Sequence, residues 1–110
     1  MFISIIIPTC NRKDLLSDCL NCLIPEIQNV HSIAYEVIVT DDSKDDSSKV
    51  LIAEKFKWVN YLNGPKKGPA ANRNNGANSA KGDWLIFIDD DCLPNSNLIN
   101  VYCDAISANK

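Results

Sequence analysis

Short runs of β-branched and apolar residues alternate along the chain with stretches whose apolar positions recur every three or four residues, and turn residues separate the two kinds. That alternation is the pattern of an α/β sheet with helical crossovers. Phe2 to Ile7 reads as the first strand, ended by Pro8. Thr9 or Asn11 can then cap a helix from about Arg12 to Ile24, with Pro25 just beyond it. Tyr35 to Thr40 is the second strand. The polar run Asp41 to Ser48 follows, and its last serines can cap a helix carrying Val50, Leu51, Ala53 and Phe56. Trp58 to Leu62 makes a third short strand that stops at Asn63-Gly64-Pro65.

From Pro69 to about Ala80 the apolar positions are all alanine, so this helix can approach the sheet closely while burying little area of its own. Gly82 ends it. Trp84 to Ile88 is unbroken in apolar character, which predicts a central strand covered on both faces. A last helix, about Asn95 to Ser107, would turn Leu98, Ile99, Tyr102, Ala105 and Ile106 inward.

The chain has 110 residues and is 45% hydrophobic, enough for one domain with a modest core spanning residues 1–110. A formal net charge of −3 with mixed signs throughout leaves no basic field, which argues against nucleic acid as a partner. The apolar start, Met1 to Pro8, lacks basic residues and is too short for a signal peptide or a membrane span, so it reads as a cytoplasmic strand. Five cysteines, an odd number, point to reduced thiols. Cys19-x-x-Cys22 spells a redox or half-zinc motif, but at helical spacing with Leu15, Leu16 and Leu23 it reads as core. No second cysteine pair completes a zinc site, and the one histidine, His31, reads as a surface residue.

In open α/β sheets ligands bind outside the carboxyl ends of the strands. Three chemically loaded clusters fall there: Pro8-Thr9-Cys10-Asn11-Arg12, Asp41-Asp42-Ser43 and Asp89-Asp90-Asp91. Two acidic clusters on one edge repel each other unless a cation or hydrogen-bond donors occupy the gap. Carboxylates with no histidine nearby favour a hard cation, Mg²⁺ or Mn²⁺, which completes its shell with water and substrate phosphates. A nucleoside diphosphate would fit. Each feature also has a plainer structural explanation. One aspartate near Pro94-Asn95 can cap a helix, Asp41 and Asp42 are ordinary turn residues, Arg73 can pair with Asp83, and Lys66-Lys67 can be a solvated turn. Asn72, Asn74, Asn75 and Asn78 are poor helix formers, which points to a polar helix face beside a ligand or a partner domain.

Four ordered segments, Ser4-Ile5-Ile6-Ile7-Pro8-Thr9, Val37-Ile38-Val39-Thr40-Asp41-Asp42-Ser43, Gly68 to Gly76 and Gly82 to Asp91, resemble the family 2 glycosyltransferases of GT-A fold. The resemblance runs over nearly the whole chain. It implies a Rossmann-like, mainly parallel four-stranded sheet flanked by helices, truncated relative to the family, and a UDP-sugar donor with a divalent cation and inverting transfer. It places Asp42, ahead of Asp41, on the uracil ring, and makes Pro8, Thr9 and Arg12 nucleoside contacts. Arg73 would lie near base and diphosphate, and Asp89 with Asp91 would match the Asp-x-Asp motif, the first close to the ribose and the last binding the metal; Asp89 and Asp90 count among the donor-binding residues, and Asp89 and Asp91 as the metal ligands. The register within Asp89 to Asp91 is open by one residue, because Pro94 comes early. Ser43 stands where the family's turn has glycine. Family members are about twice as long, so the acceptor site, for a carbohydrate or lipid-linked acceptor, and the general base are expected beyond Lys110. The fragment is therefore expected to be inactive alone, and its uncovered edge to associate with itself. Rival readings are a non-catalytic nucleotide-binding module, a Mg²⁺-binding receiver-like signalling domain, and a thiol oxidoreductase using Cys19 and Cys22.

Overall fold

The computed structural model describes residues 1–30 and 34–108, so His31 lies outside the described residues. Among the described residues nine elements follow in chain order: β1 (Phe2–Thr9), α1 (Lys13–Asn21), α2 (Pro25–Gln28), β2 (Ala34–Asp41), α3 (Ser47–Lys55), β3 (Asn60–Asn63), α4 (Pro69–Ser79), β4 (Trp84–Phe87) and α5 (Leu98–Ala108). All strand pairings are parallel, in the order β3-β2-β1-β4. This is the Rossmann-like sheet expected from the sequence. Receiver-like sheets are wound 2-1-3, so the order also sets that rival aside.

The strand order reverses between β1 and β4, and the crevice outside their carboxyl ends is the place where such sheets bind ligands. The period-two alternation of β1 explains how the sheet is covered. Ile3, Ile5 and Ile7 join Val37, Val39, Ile86 and Ile88 on one face, buried against Leu16, Cys19, Leu20, Leu23, Ile52, Phe56 and Ile99 of the helices. The opposite face carries Ser4, Ile6, Glu36 and Thr40 and receives α4. Gly76 is what lets α4 seat there, since a Cβ at that position would stand 2.5 Å from a methyl of Ile6.

Several boundaries differ from the sequence expectation, each for a physical reason. Pro8 does not end β1, which pairs with β2 through Thr9. The Ile6 carbonyl accepts from Ile88, so the N–H that proline lacks two residues later also falls on the β4 side. The register with β4 stops at Ile6 and the ladder with β2 is untouched. The helix expected to run to Ile24 ends at Asn21, and Pro25 opens α2 as an N-terminal proline. The inner face of α1 is Leu16, Cys19 and Leu20, Leu23 is buried in the turn that follows, and Leu15 is 44% exposed. Neither Thr9 nor Asn11 caps α1, because their side chains bond instead to Asp90 and to the Lys44 N–H.

β4 is an edge strand and not a central one. Trp84, Leu85 and Phe87 are 47%, 40% and 47% exposed, because among the described residues nothing pairs its outer edge or covers its second face. The sequence reads as buried on both sides, yet the topology leaves it half open. α5 buries only Ile99 fully, with Leu98 and Ile106 partly buried and Tyr102 and Ala105 exposed.

Gln28 anchors α5 and carried no signal in the sequence. Its buried amide donates to the carbonyls of Cys22 and Asn95, at 2.8 and 2.9 Å, and accepts from the Ile99 N–H at 3.2 Å. These bonds satisfy three backbone groups in places where water does not reach. Glu36 does similar work at the amino end of the sheet, accepting from Ser4 Oγ, Asn60 Nδ2 and the Lys81 N–H. No helix of the described residues is long and apolar enough to cross a membrane.

Candidate functional site

At the carboxyl edge of β1, β2 and β4 an open cleft of about 600 Å³ is lined by Pro8, Thr9, Arg12, Asp42, Arg73, Asp89, Asp90 and Asp91. The structure thus brings into one wall eight of the residues singled out from the sequence. Cys10, Lys44, Lys66, Gly68, Pro69 and Asn72 also line it.

The loop after β4 is tied to the loop after β1 by Asp90. This side chain is buried, with Oδ2 accepting from Thr9 Oγ1 at 2.8 Å and Oδ1 accepting from Arg12 Nη1 at 2.9 Å. Both of its oxygens are therefore occupied within the protein. Arg12 Nη1 also stands 3.8 Å from Asp91 Oδ2. The hydrogen bond to Asp90, and then that carboxylate's charge, raise the Arg12 pKa above its ordinary value, with Asp91 and Asp89 adding to the effect. Arg12 is the one cation set among three adjacent carboxylates that is ion-paired among the described residues.

Asp89 and Asp91 flank the buried Asp90, and both are exposed. Among the described residues no group of three or more His, Cys, Asp or Glu side chains is placed to hold a metal ion. Two exposed carboxylates fit a hard cation that takes its remaining ligands from water and substrate phosphates, and do not fit a closed protein cage.

The two aspartates after β2 have separate jobs. Asp41 is only 2% exposed and does not reach the cleft. Its Oδ1 accepts from the Ser43 N–H at 2.9 Å and its Oδ2 from Tyr61 Oη at 2.7 Å. Burial, and then this bond, push the Tyr61 hydroxyl well above its usual pKa. The sequence expectation sets Asp41 beside Asp42 at the ligand; in the structure both of its oxygens accept hydrogen bonds inside the turn. Asp42 is at the cleft wall, its N–H donating to the Thr9 carbonyl at 2.9 Å and its Oδ1 accepting from the Lys66 N–H at 2.8 Å. Ser43, standing where a glycine was expected, keeps a negative φ and accepts from the Asn11 N–H at 2.7 Å, so no strain arises there.

Asn72 closes the back of the cleft from α4. It is 3% exposed, accepts from Thr40 Oγ1 at 2.7 Å, and donates to the carbonyls of Thr9 and Thr40 at 3.3 and 3.0 Å. Asn75 joins it through Thr40 Oγ1 and the Asn63 carbonyl. The asparagines of α4 thus divide: Asn72 and Asn75 satisfy strand ends, while Asn74 and Asn78 are exposed. Arg73 lines the cleft and forms no ion pair among the described residues. The cysteine pair is not poised for redox chemistry, since burial pushes the Cys19 thiol up to about 12 and also raises Cys22.

The comparisons agree with this geometry. Residues 4–110 match the family described as "Glycosyl transferase family 2". The poly(ribitol-phosphate) beta-glucosyltransferase of Bacillus spizizenii is 37% identical over 108 residues, covering 93% of this chain and 17% of that protein. The GalNAc(5)-diNAcBac-PP-undecaprenol beta-1,3-glucosyltransferase of Campylobacter jejuni is 36% identical over 96 residues, covering 81% of this chain and 29% of that protein. The crystal structure of S. aureus TarS 1-349 in complex with UDP-GlcNAc superposes with a TM-score of 0.78 and 28% identity, covering 98% of this chain and 32% of that one. Its complex with UDP superposes with a TM-score of 0.82 and 27% identity, covering 98% and 32%. The chain therefore spans less than a third of the length of these proteins. With the sequence motifs, the sheet order and the acidic cleft all in agreement, the chain belongs to glycosyl transferase family 2.

Proposed function

We propose that the cleft binds a UDP-sugar donor for inverting transfer of the sugar to an acceptor hydroxyl. The observation that carries this reading is the arrangement of Asp42, Arg12, Arg73 and the Asp89–Asp91 cluster around one cleft at the switch point between β1 and β4. The UDP and UDP-GlcNAc complexes of the similar TarS fold, and the glucosyltransferase names of the relatives, support the same donor class. Asp42 Oδ2 would accept from the base, and Pro8 and Thr9 would wall the nucleoside. Arg73 would lie beside the diphosphate. Asp89 and Asp91 would hold Mg²⁺ or Mn²⁺, and Asp90 acts through Thr9 and Arg12 in positioning the two loops. A bound cation of this kind supplies stabilisation of the charge that develops on the departing UDP.

The proton of the acceptor hydroxyl requires a base. With Asp90 and Asp41 hydrogen-bonded internally and Asp89 and Asp91 directed to the cation, that base and the acceptor-binding surface are assigned outside these residues. A carbohydrate or lipid-linked acceptor suits the relatives' names. The test is amide NMR mapping with UDP. Shifts are expected at Thr9, Arg12, Asp42, Lys66, Arg73 and Asp91, and shifts confined to α5 or the β3 edge would contradict the reading.

The open edge of β4, with Trp84, Leu85 and Phe87 exposed beside it, supports self-association of the 110-residue chain. Light scattering is expected to show a mass that rises with concentration. A monomer at all concentrations would count against this.

A further inference from the structure

The three carboxylates that follow β4 do not offer equal charge to the cleft. Asp90 is buried and has both oxygens occupied by Thr9 and Arg12, while Asp89 and Asp91 are exposed. The sequence expectation makes Arg12 a nucleoside contact. In the structure its Nη1 stands 2.9 Å from Asp90 Oδ1 and 3.8 Å from Asp91 Oδ2, so the guanidinium sits between the buried carboxylate and an exposed one. It also lines the cleft, with half of its side chain open to solvent. The positive charge next to Asp91 is therefore supplied by the chain itself, before any ion arrives.

Resting on the donor-site reading above, we infer that Arg12 is a resident counter-cation: it holds down the affinity of the empty cleft for a free divalent ion, so that the cation enters with the diphosphate and not ahead of it. The sign of its charge decides this. A cation approaching Asp91 meets a positive group already beside that carboxylate, and water weakens their repulsion without abolishing it. An incoming diphosphate meets the reverse. The guanidinium attracts it, and its oxygens complete the shell of a hard cation held by few protein ligands. Arg12 thus acts in opposite directions on the two ligands. An arginine with a structural role alone would not, since loss of its bond to Asp90 would loosen the loop and weaken both. Loss of a nucleoside contact would weaken UDP and leave the affinity for the free ion as it was.

The experiment titrates Mn²⁺ into the nucleotide-free chain and follows paramagnetic broadening centred on the Asp89 and Asp91 amide signals, which separates this site from carboxylates elsewhere. UDP affinity without metal is measured beside it by calorimetry, for the native chain, Arg12→Gln and Arg12→Lys. Thr9 still holds Asp90 in both variants, and folding is checked by circular dichroism. Arg12→Gln removes the charge and is expected to bind Mn²⁺ about threefold or more tighter than the native chain, and UDP about threefold or more weaker. Arg12→Lys keeps the charge and should return both values toward the native ones. The gain in Mn²⁺ affinity should shrink at high salt, which screens exposed charges. If Arg12→Gln binds Mn²⁺ no tighter than the native chain, if Arg12→Lys shows the same gain, or if salt leaves the gain unchanged, the inference is overturned, and a native chain that binds UDP keeps the donor-site reading standing. A native chain that takes up no UDP overturns both.

Discussion

Asp90→Ala is expected to cost about 2–3 kcal/mol of folding stability and to weaken UDP binding more than tenfold, although Asp90 itself is assigned no contact with the base or the cation. The stability loss has two unequal parts. Thr9 Oγ1 is buried and would lose the acceptor 2.8 Å away, and an orphaned buried hydroxyl costs about 1–3 kcal/mol. Arg12 would lose its ion pair, but its side chain is half exposed and solvent screens the pair, so this part is the smaller one. Together these lower the thermal midpoint of a domain this size by roughly 10 °C. Binding falls because the loops carrying Thr9 and Asp91 are no longer pinned to one another. Thr9→Val removes the same hydrogen bond from the other side, so the two substitutions combined should destabilise by clearly less than their sum. Additive losses would show that Asp90 and Thr9 do not act as a pair.

Asp91→Ala is expected to do the opposite: little change in stability and loss of the metal-dependent part of UDP affinity. Its side chain is about half exposed and its one ion-pair partner among the described residues, Arg12 Nη1, stands at 3.8 Å, so folding gains little from it. Exposed carboxylates at the carboxyl end of a strand are what a weakly held Mg²⁺ or Mn²⁺ uses, one or two protein oxygens with the rest from water and phosphate. Removing one of two such ligands should take away most of the increment that Mn²⁺ adds to UDP binding. The measurement is the ratio of UDP affinities with and without Mn²⁺, read beside thermal unfolding. An unchanged ratio would remove Asp91 from the cation site.

The sheet and its helices were legible because β1, β2 and the crossover helices carry the periodicities of their packing: Ile3, Ile5 and Ile7 on one face, Leu16, Cys19, Leu20 and Leu23 on another. β4 departs from its pattern for a related reason. Trp84-Leu85-Ile86-Phe87-Ile88 encodes burial on both faces, but what covers a strand depends on elements elsewhere, and here its outer side is open. Local composition also separates poorly two residues of one kind side by side. Asp41 and Asp42 look alike in the sequence, and the tertiary partner Tyr61 turns the first inward while the Lys66 N–H holds the second at the cleft. Gln28 lay beyond reach because its role comes from bonds to backbone groups far along the chain, which no periodicity announces. The asparagines of α4 do signal a polar helix face, but not that Asn72 bonds the strand ends at Thr9 and Thr40. Lys66 reads as a lysine of a solvated turn, whereas its tie to Asp42 comes from a backbone N–H and a positive φ and not from its charge.

The account stands most directly on one titration: UDP into the folded chain by calorimetry, with and without Mn²⁺, beside Asp42→Ala and Asp91→Ala. It predicts binding that Mn²⁺ strengthens, an increment lost in Asp91→Ala, and affinity reduced in Asp42→Ala whether or not metal is present. A folded chain that takes up no UDP under either condition would contradict it.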